Sequence, residues 1–182
     1  LVAEADVAAN ASKPFVTLLA LGQNDLLLAF ADDAGTLQAY RYDGVTLAGL
    51  TSPSVDFAVG QLDGASLPGE AVLVFEDQDG LDTAAAYSSL WSGTAWLSRT
   101  TVYDGSGANP DLEGNGSLSA AVDPVSQAVS VAYSAAGVVT LTNESGSVIA
   151  RSSDADFTGT PDPAEPPLAI AAQSSVVSLF LR

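Results

Sequence analysis

Short apolar runs, each broken by Gly, Asn, Asp or Pro, recur along the whole chain. The run 16–21 crosses Gly22-Gln23-Asn24-Asp25 into 26–30. A turn at 31–35 then leads to the alternating run 36–42, and the hairpin dipeptide Asp43-Gly44 leads to 45–50. Runs of this length, bounded by turn residues, predict four antiparallel strands within one unit. The pattern returns. Residues 55–59 are expected to pair with 71–75 across a longer Gly- and Pro-containing loop, followed by 83–90 and a tight hairpin at 91–96 with Trp at each shoulder. A third unit reads 118–122, the Asp123-Pro124 turn, 128–133, 137–142, the 143–146 turn and 148–151. A fourth has two strands, 168–172 and 176–181.

One run in each unit ends in an aromatic: Phe30, Phe75, Tyr133 and Phe180, spaced 45, 58 and 47 residues apart. Such a period marks a repeated small sheet. Leu26-Leu27-Leu28 and Val72-Leu73-Val74 are continuously apolar, which predicts strands buried on both faces. The third and fourth strands are more polar, as an outer rim should be. Inner strands buried on both sides favour radially stacked four-stranded blades over a two-sheet sandwich. A buried Phe contributes about 2–3 kcal/mol by area transfer, so the aromatic positions are expected to anchor the core. The stretches 104–115 and 152–167, rich in Gly, Asn, Asp and Pro, read as loops between units.

The string Tyr87-Ser88-Ser89-Leu90-Trp91-Ser92-Gly93-Thr94-Ala95-Trp96, followed by Leu118-Ser119-Ala120-Ala121-Val122-Asp123-Pro124 and Val129-Ser130-Val131-Ala132-Tyr133, is similar to blades of sialidase-like and lectin-like bacterial β-propellers. The resemblance spans most of 13–182 and is generic. The Asp-box, the Gly-His and Trp-Asp pairs of WD40 repeats and the double Gly of kelch repeats are missing, so it carries over no functional residue. It implies an all-β fold, a β-propeller or part of one, with about 3.5–4 four-stranded antiparallel blades in units near 13–52, 53–108, 115–153 and 166–182. Residues 1–12 read as an N-terminal arm or a strand closing the last blade. Closed propellers usually have four or more complete blades. The expectation is therefore a compact four-bladed ring closed by the N-terminus, or part of a larger ring completed elsewhere.

Composition narrows the chemistry. Five basic residues stand against 22 acids, a net charge of −17. Phosphate binding needs clustered Lys and Arg, so nucleic acid and anionic membrane are poor partners. No apolar run reaches the length of a membrane-spanning helix. The acid excess fits an extracellular or cell-surface setting, where it serves solubility, or a set of divalent-cation sites. The chain opens at Leu1 and holds no Met, which fits a processed product, an excised domain or a partial sequence. With no His and no Cys there is no Ser-His-Asp triad, thiol nucleophile, imidazole metal site or disulfide. The single Lys, Lys13, sits beside Pro14, which argues against Schiff-base chemistry. A glycosidase-type carboxylate pair stays open, but the scattered internal Arg argue against sialidase chemistry. The chain is expected not to be an enzyme.

Three groups of candidate site residues remain. Asp77, Asp79 and Asp82 alternate around Gly80 and could converge on Ca²⁺, although Gly comes fourth in that loop rather than sixth. The competing reading is a polar turn needing no cofactor. Trp91 and Trp96, with Tyr87 and Tyr103, form an aromatic cluster in sequence that is either a sugar platform or packing across a strand pair. Asn10, Asn115 and Asn143 begin sequons. The expected role is an extracellular binding or assembly module acting through protein subunits or the remainder of a larger propeller. The alternatives are a carbohydrate-binding lectin and, third, a glycosidase.

Overall fold

The computed structural model describes residues 16–32, 34–77, 85–105, 112, 118–136, 138–151, 169–173 and 176–180. The first sheet is β1 (Val16–Gly22), β2 (Asp25–Ala31), β3 (Leu37–Tyr42) and β4 (Leu47–Leu50). The second is β5 (Val59–Leu67), β6 (Glu70–Asp77), β7 (Ala86–Trp91) and β8 (Thr100–Tyr103). The third is β9 (Leu118–Val122), β10 (Val129–Ala135), β11 (Val138–Asn143) and β12 (Val148–Arg151). Strands β13 (Ala169–Gln173) and β14 (Val176–Phe180) pair as a two-stranded sheet. Every sheet is an antiparallel meander in chain order.

The first strands face one another in series: β1 contacts β5, β5 contacts β9, and β9 contacts β13. The sheets therefore stack as blades with their first strands innermost. The aromatic-ended runs are β2, β6, β10 and β14, each the second strand of its sheet. β10 is buried at every position and β6 from Ala71 to Phe75, because each has a blade on either side. β2 is less buried, and β1 alternates exposed and buried, since no blade among the described residues packs on one side of the first blade. Two cores fill the gaps between blades. Leu19, Leu27, Leu73 and Phe75 fill the first, and Val72, Val74, Val131 and Tyr133 the second.

Two sequence expectations are corrected. The strand pairing with β6 is Val59–Leu67, not 55–59. Asp63 and Gly64, expected within the Gly- and Pro-containing loop, lie inside the strand. Gly64 sits there because a side chain would meet both the neighbouring strand β6 of its own blade and blade 1. A Cβ at Gly64 would lie 2.7 Å from the Val72 carbonyl oxygen and 2.9 Å from Leu19 Cδ1. The turn is Pro68-Gly69, whose Gly69 N–H reaches back to the Leu21 carbonyl of blade 1 (2.8 Å). The second correction concerns Asp43-Gly44, which opens a four-residue turn rather than a two-residue one. Asp43 Oδ1 accepts the N–H groups of Val45 and Thr46 (3.0 and 2.8 Å), so β4 begins at Leu47. The arm at 1–12 and most of both inter-unit loops lie outside the described residues.

Polar bonds tie blade to blade. Asp63, on β5, accepts from Ser119 Oγ and from the Ala120 N–H of β9, both at 2.9 Å. The turn between the third and fourth strands of blades 2 and 3 rests on the third strand of the blade before it. Arg41 Nη1 donates to the Gly93 carbonyl (3.2 Å), and Ser88 Oγ donates to the Glu144 carbonyl (2.6 Å).

Candidate functional site

The 91–96 hairpin forms as its sequence predicts. Trp91 and Trp96 make an antiparallel bridge, Ser92 N–H donates to the Ala95 carbonyl (3.0 Å), and Gly93 takes a φ of +88°. Arg41 of blade 1 holds the hairpin. Arg41 grips its Gly93 carbonyl, while Asp25 holds Arg41 through a two-pronged pair at 2.9 and 2.8 Å. The charge-assisted bond from Arg41 keeps the Asp25 carboxyl below the usual carboxylate range.

Between this hairpin and the segment that follows β4 lies an open trough of about 690 Å³. One wall is Gly49, Leu50, Thr51, Ser52 and Ser54, and the other is Trp91 and 94–99. The indoles pack on each other at 5.4 Å between centroids, tilted by 58°. Trp91 is buried in the first core, and Trp96 is half-buried against it. Neither indole N–H has a hydrogen-bond acceptor. A buried indole N–H normally finds a partner, so two orphan donors side by side are unusual.

Arg99 closes one end of the trough. Its guanidinium lies 5.1 and 5.0 Å over the rings of Phe57 and Tyr87 and bonds Asp56 Oδ1 at 2.6 Å. The bond from Arg99 holds the Asp56 carboxyl below its ordinary range, and burial raises the Tyr87 phenol. Phe57 and Tyr87 stack at 5.3 Å. The cation is thus spent internally, and the trough offers hydroxyls, backbone groups and an aromatic wall. Among the described residues no Asp or Glu lines it. A smaller cavity of about 380 Å³ lies between blades 2 and 3, lined by Leu67, Leu90, Ser88, Gln127 and Glu144 among others.

The other candidates are separated. Tyr87 lies beneath Arg99, and Tyr103 packs tilted against Tyr133 at 4.7 Å in the second core, so the four aromatics are not one cluster. Asp77 ends β6, where its N–H donates to the Ala85 carbonyl (2.9 Å). Asp79 and Asp82 lie outside the described residues, as do Asn10 and Asn115. Among the described residues no cluster of three metal-ligating side chains occurs. Asn143 ends β11, and its Oδ1 accepts the N–H groups of Ser145 and Ser147 (3.1 and 2.9 Å). The sequence reading missed Arg99, Asp56 and the 49–54 wall. Arg99, three residues beyond Trp96 in an otherwise Arg-poor chain, was the available signal.

No family model matches the chain, and no curated protein matches it. Solved structures do. A fungal lectin from Aleuria aurantia, described as a six-bladed β-propeller with a novel fucose recognition mode, aligns with a TM-score of 0.61 at 16% identity. The alignment covers 94% of this chain and 56% of that one. This chain is part of a β-propeller. The SapL1 lectin in complex with α-methyl fucoside aligns at a TM-score of 0.54 and 17% identity, covering 87% and 50%. The GH43 protein BlXynB from Bacillus licheniformis aligns at 0.57 and 12%, covering 92% and 36%. The chain spans about half the length of the propeller lectins it matches. At these identities the likeness is one of fold.

Proposed function

We propose that this propeller is a carbohydrate-binding module without catalytic activity, and that the trough between blades 1 and 2 holds the sugar. The observation that carries the proposal is the open, hydroxyl-lined trough with the paired indoles of Trp91 and Trp96 in its wall. A pyranose offers what such a cavity lacks: an apolar C–H face for an indole and hydroxyls for the polar wall. Arg99 is already paired with Asp56, and the chain carries −17, which favours a neutral sugar over an acidic one. Among the described residues the trough lining contains no carboxylate, which favours binding over glycoside hydrolysis. The lectin neighbours support the same reading by analogy of fold alone. An extracellular or cell-surface setting goes with it, where such glycans are met.

A glycan array tests the proposal. Wild type is expected to bind a subset of neutral glycans, Trp96→Ala to lose that binding while keeping its far-UV spectrum, and neither to hydrolyse nitrophenyl glycosides. Absence of binding across the array overturns the proposal. A second reading, a role in assembly through protein–protein contacts, is favoured by a separate observation: the bare apolar side of β1, with Val16 and Leu18 exposed.

A further inference from the structure

One wall of the trough is a connection rather than a strand. It leaves β4 at Leu50 and enters β5 at Val59. Among the described residues, 51–57 makes no backbone–backbone hydrogen bond, and the next such bond runs from the Val59 N–H to the Gly35 carbonyl (2.8 Å). Side chains hold the segment instead. Pro53 is buried, and Val55 and Phe57 pack against the first core. Arg99 reaches the segment from the opposite wall. Its Nη1 donates to Asp56 Oδ1 at 2.6 Å, and its guanidinium lies 5.1 Å over Phe57 and 5.0 Å over Tyr87. Asp56 and Phe57 belong to the connection, whereas Arg99 and Tyr87 belong to blade 2, so one planar cation ties the two walls together. An exposed ion pair alone is a weak tie. Here the same group also covers two ring faces, and the Arg99 side chain is only 33% exposed.

We infer that Arg99 is the positioning residue of the trough: by clasping Asp56 and Phe57 it fixes the 51–57 wall opposite the Trp hairpin, so the cavity is shaped before a ligand arrives. The ligand half of this inference rests on the sugar-binding reading above, while the clasp stands on the ligand-free geometry. A segment without backbone hydrogen bonds opens at low cost unless side chains restrain it. A wall ordered in advance spares the bound complex that ordering cost. Arg99 does this without touching the sugar, since its charge is taken by Asp56 and its face by Phe57 and Tyr87. Lysine at this position would keep the charge but lose the planar face that covers both rings.

Backbone amide NMR relaxation of the full chain, paired with sugar titration, tests this. In wild type the order parameters at Ser52, Ser54 and Asp56 are expected near about 0.85, and in Arg99→Ala below about 0.6. Glucose, galactose, mannose and N-acetylglucosamine are the probes for affinity, followed by indole emission. The dissociation constant of whichever binds is expected to rise at least about tenfold in Arg99→Ala, with Arg99→Lys between the two. Asp63→Ala removes a bond between blades 2 and 3, away from the trough. It lowers the melting midpoint but should change neither readout, which separates the clasp from a general loss of stability. Unchanged order at 51–57 in Arg99→Ala overturns the inference whether or not a sugar binds, and so does lost order with affinity kept. Wild type indifferent to every sugar overturns the function proposed above, and the relaxation data still decide the clasp.

Discussion

Asp63→Ala tests the way blades are joined. Strand β9 is the inner edge of blade 3, so its Ala120 N–H points away from β10 and needs an acceptor from elsewhere. The Asp63 carboxylate of blade 2 provides it at 2.9 Å and also accepts Ser119 Oγ at 2.9 Å. Ala120 and Ser119 are 9% and 6% exposed, so water replaces the lost acceptor poorly. A hydrogen bond to a charged group contributes about 1.5–3 kcal/mol, and an orphaned buried donor costs about 1–3 kcal/mol. Allowing for overlap between those figures, Asp63→Ala is expected to cost about 3 kcal/mol. Asp63→Asn keeps one acceptor oxygen and should cost about 1 kcal/mol. For a chain of this size each kcal/mol moves the melting midpoint by about 2–4 °C, so the alanine variant should melt about 6–12 °C lower. Thermal unfolding followed by circular dichroism reads both. A loss under about 0.5 kcal/mol for Asp63→Ala, or an equal loss for both variants, refutes the reasoning.

Other outcomes follow from the same packing. Gly64→Ala should cost about 1–3 kcal/mol in urea unfolding, because the new Cβ meets the Val72 carbonyl as well as the mobile end of Leu19. Phe75→Ala, at a fully buried ring where Phe57 and Tyr87 also pack, should cost about 3–5 kcal/mol by the same assay. The Arg41–Asp25 pair sets a pH dependence. Asp25 has its folded pKa depressed, so the pair's contribution is present above the unfolded value near 4 and is lost as pH falls through the folded value. The stability difference between wild type and Arg41→Ala should therefore be constant above about pH 5 and shrink below about pH 4. A difference that grows with acid counts against the pairing.

The repeat was legible because its cause is local: a strand buried on both sides must be apolar at successive positions, as Val72-Leu73-Val74 is. Turn chemistry placed the Trp hairpin, since Gly93 supplies the positive φ its geometry needs. The same logic placed Gly64 in a loop, whereas it lies in a strand and answers to the Val72 carbonyl of its own sheet and to Leu19 of blade 1, which is remote in sequence. The bare side of β1 was hidden for a related reason. Val16 and Leu18 look like any alternating strand residues until the blade order shows that nothing described covers them. Trp91 and Trp96 were found by sequence, but their unbonded N–H groups and the opposing 49–54 wall emerge only from how blade 1 and blade 2 meet.

The chain holds two tryptophans, and both line the trough, so indole emission excited selectively over the five tyrosines reports on that site. Titrating the protein with a panel of neutral monosaccharides while following indole emission is the most direct measurement. A sugar seated against Trp96 should shift the emission saturably, with a dissociation constant near or below about 1 mM, equivalent to about −4 kcal/mol. Emission unchanged by every sugar up to saturating concentrations would contradict a carbohydrate site between blades 1 and 2.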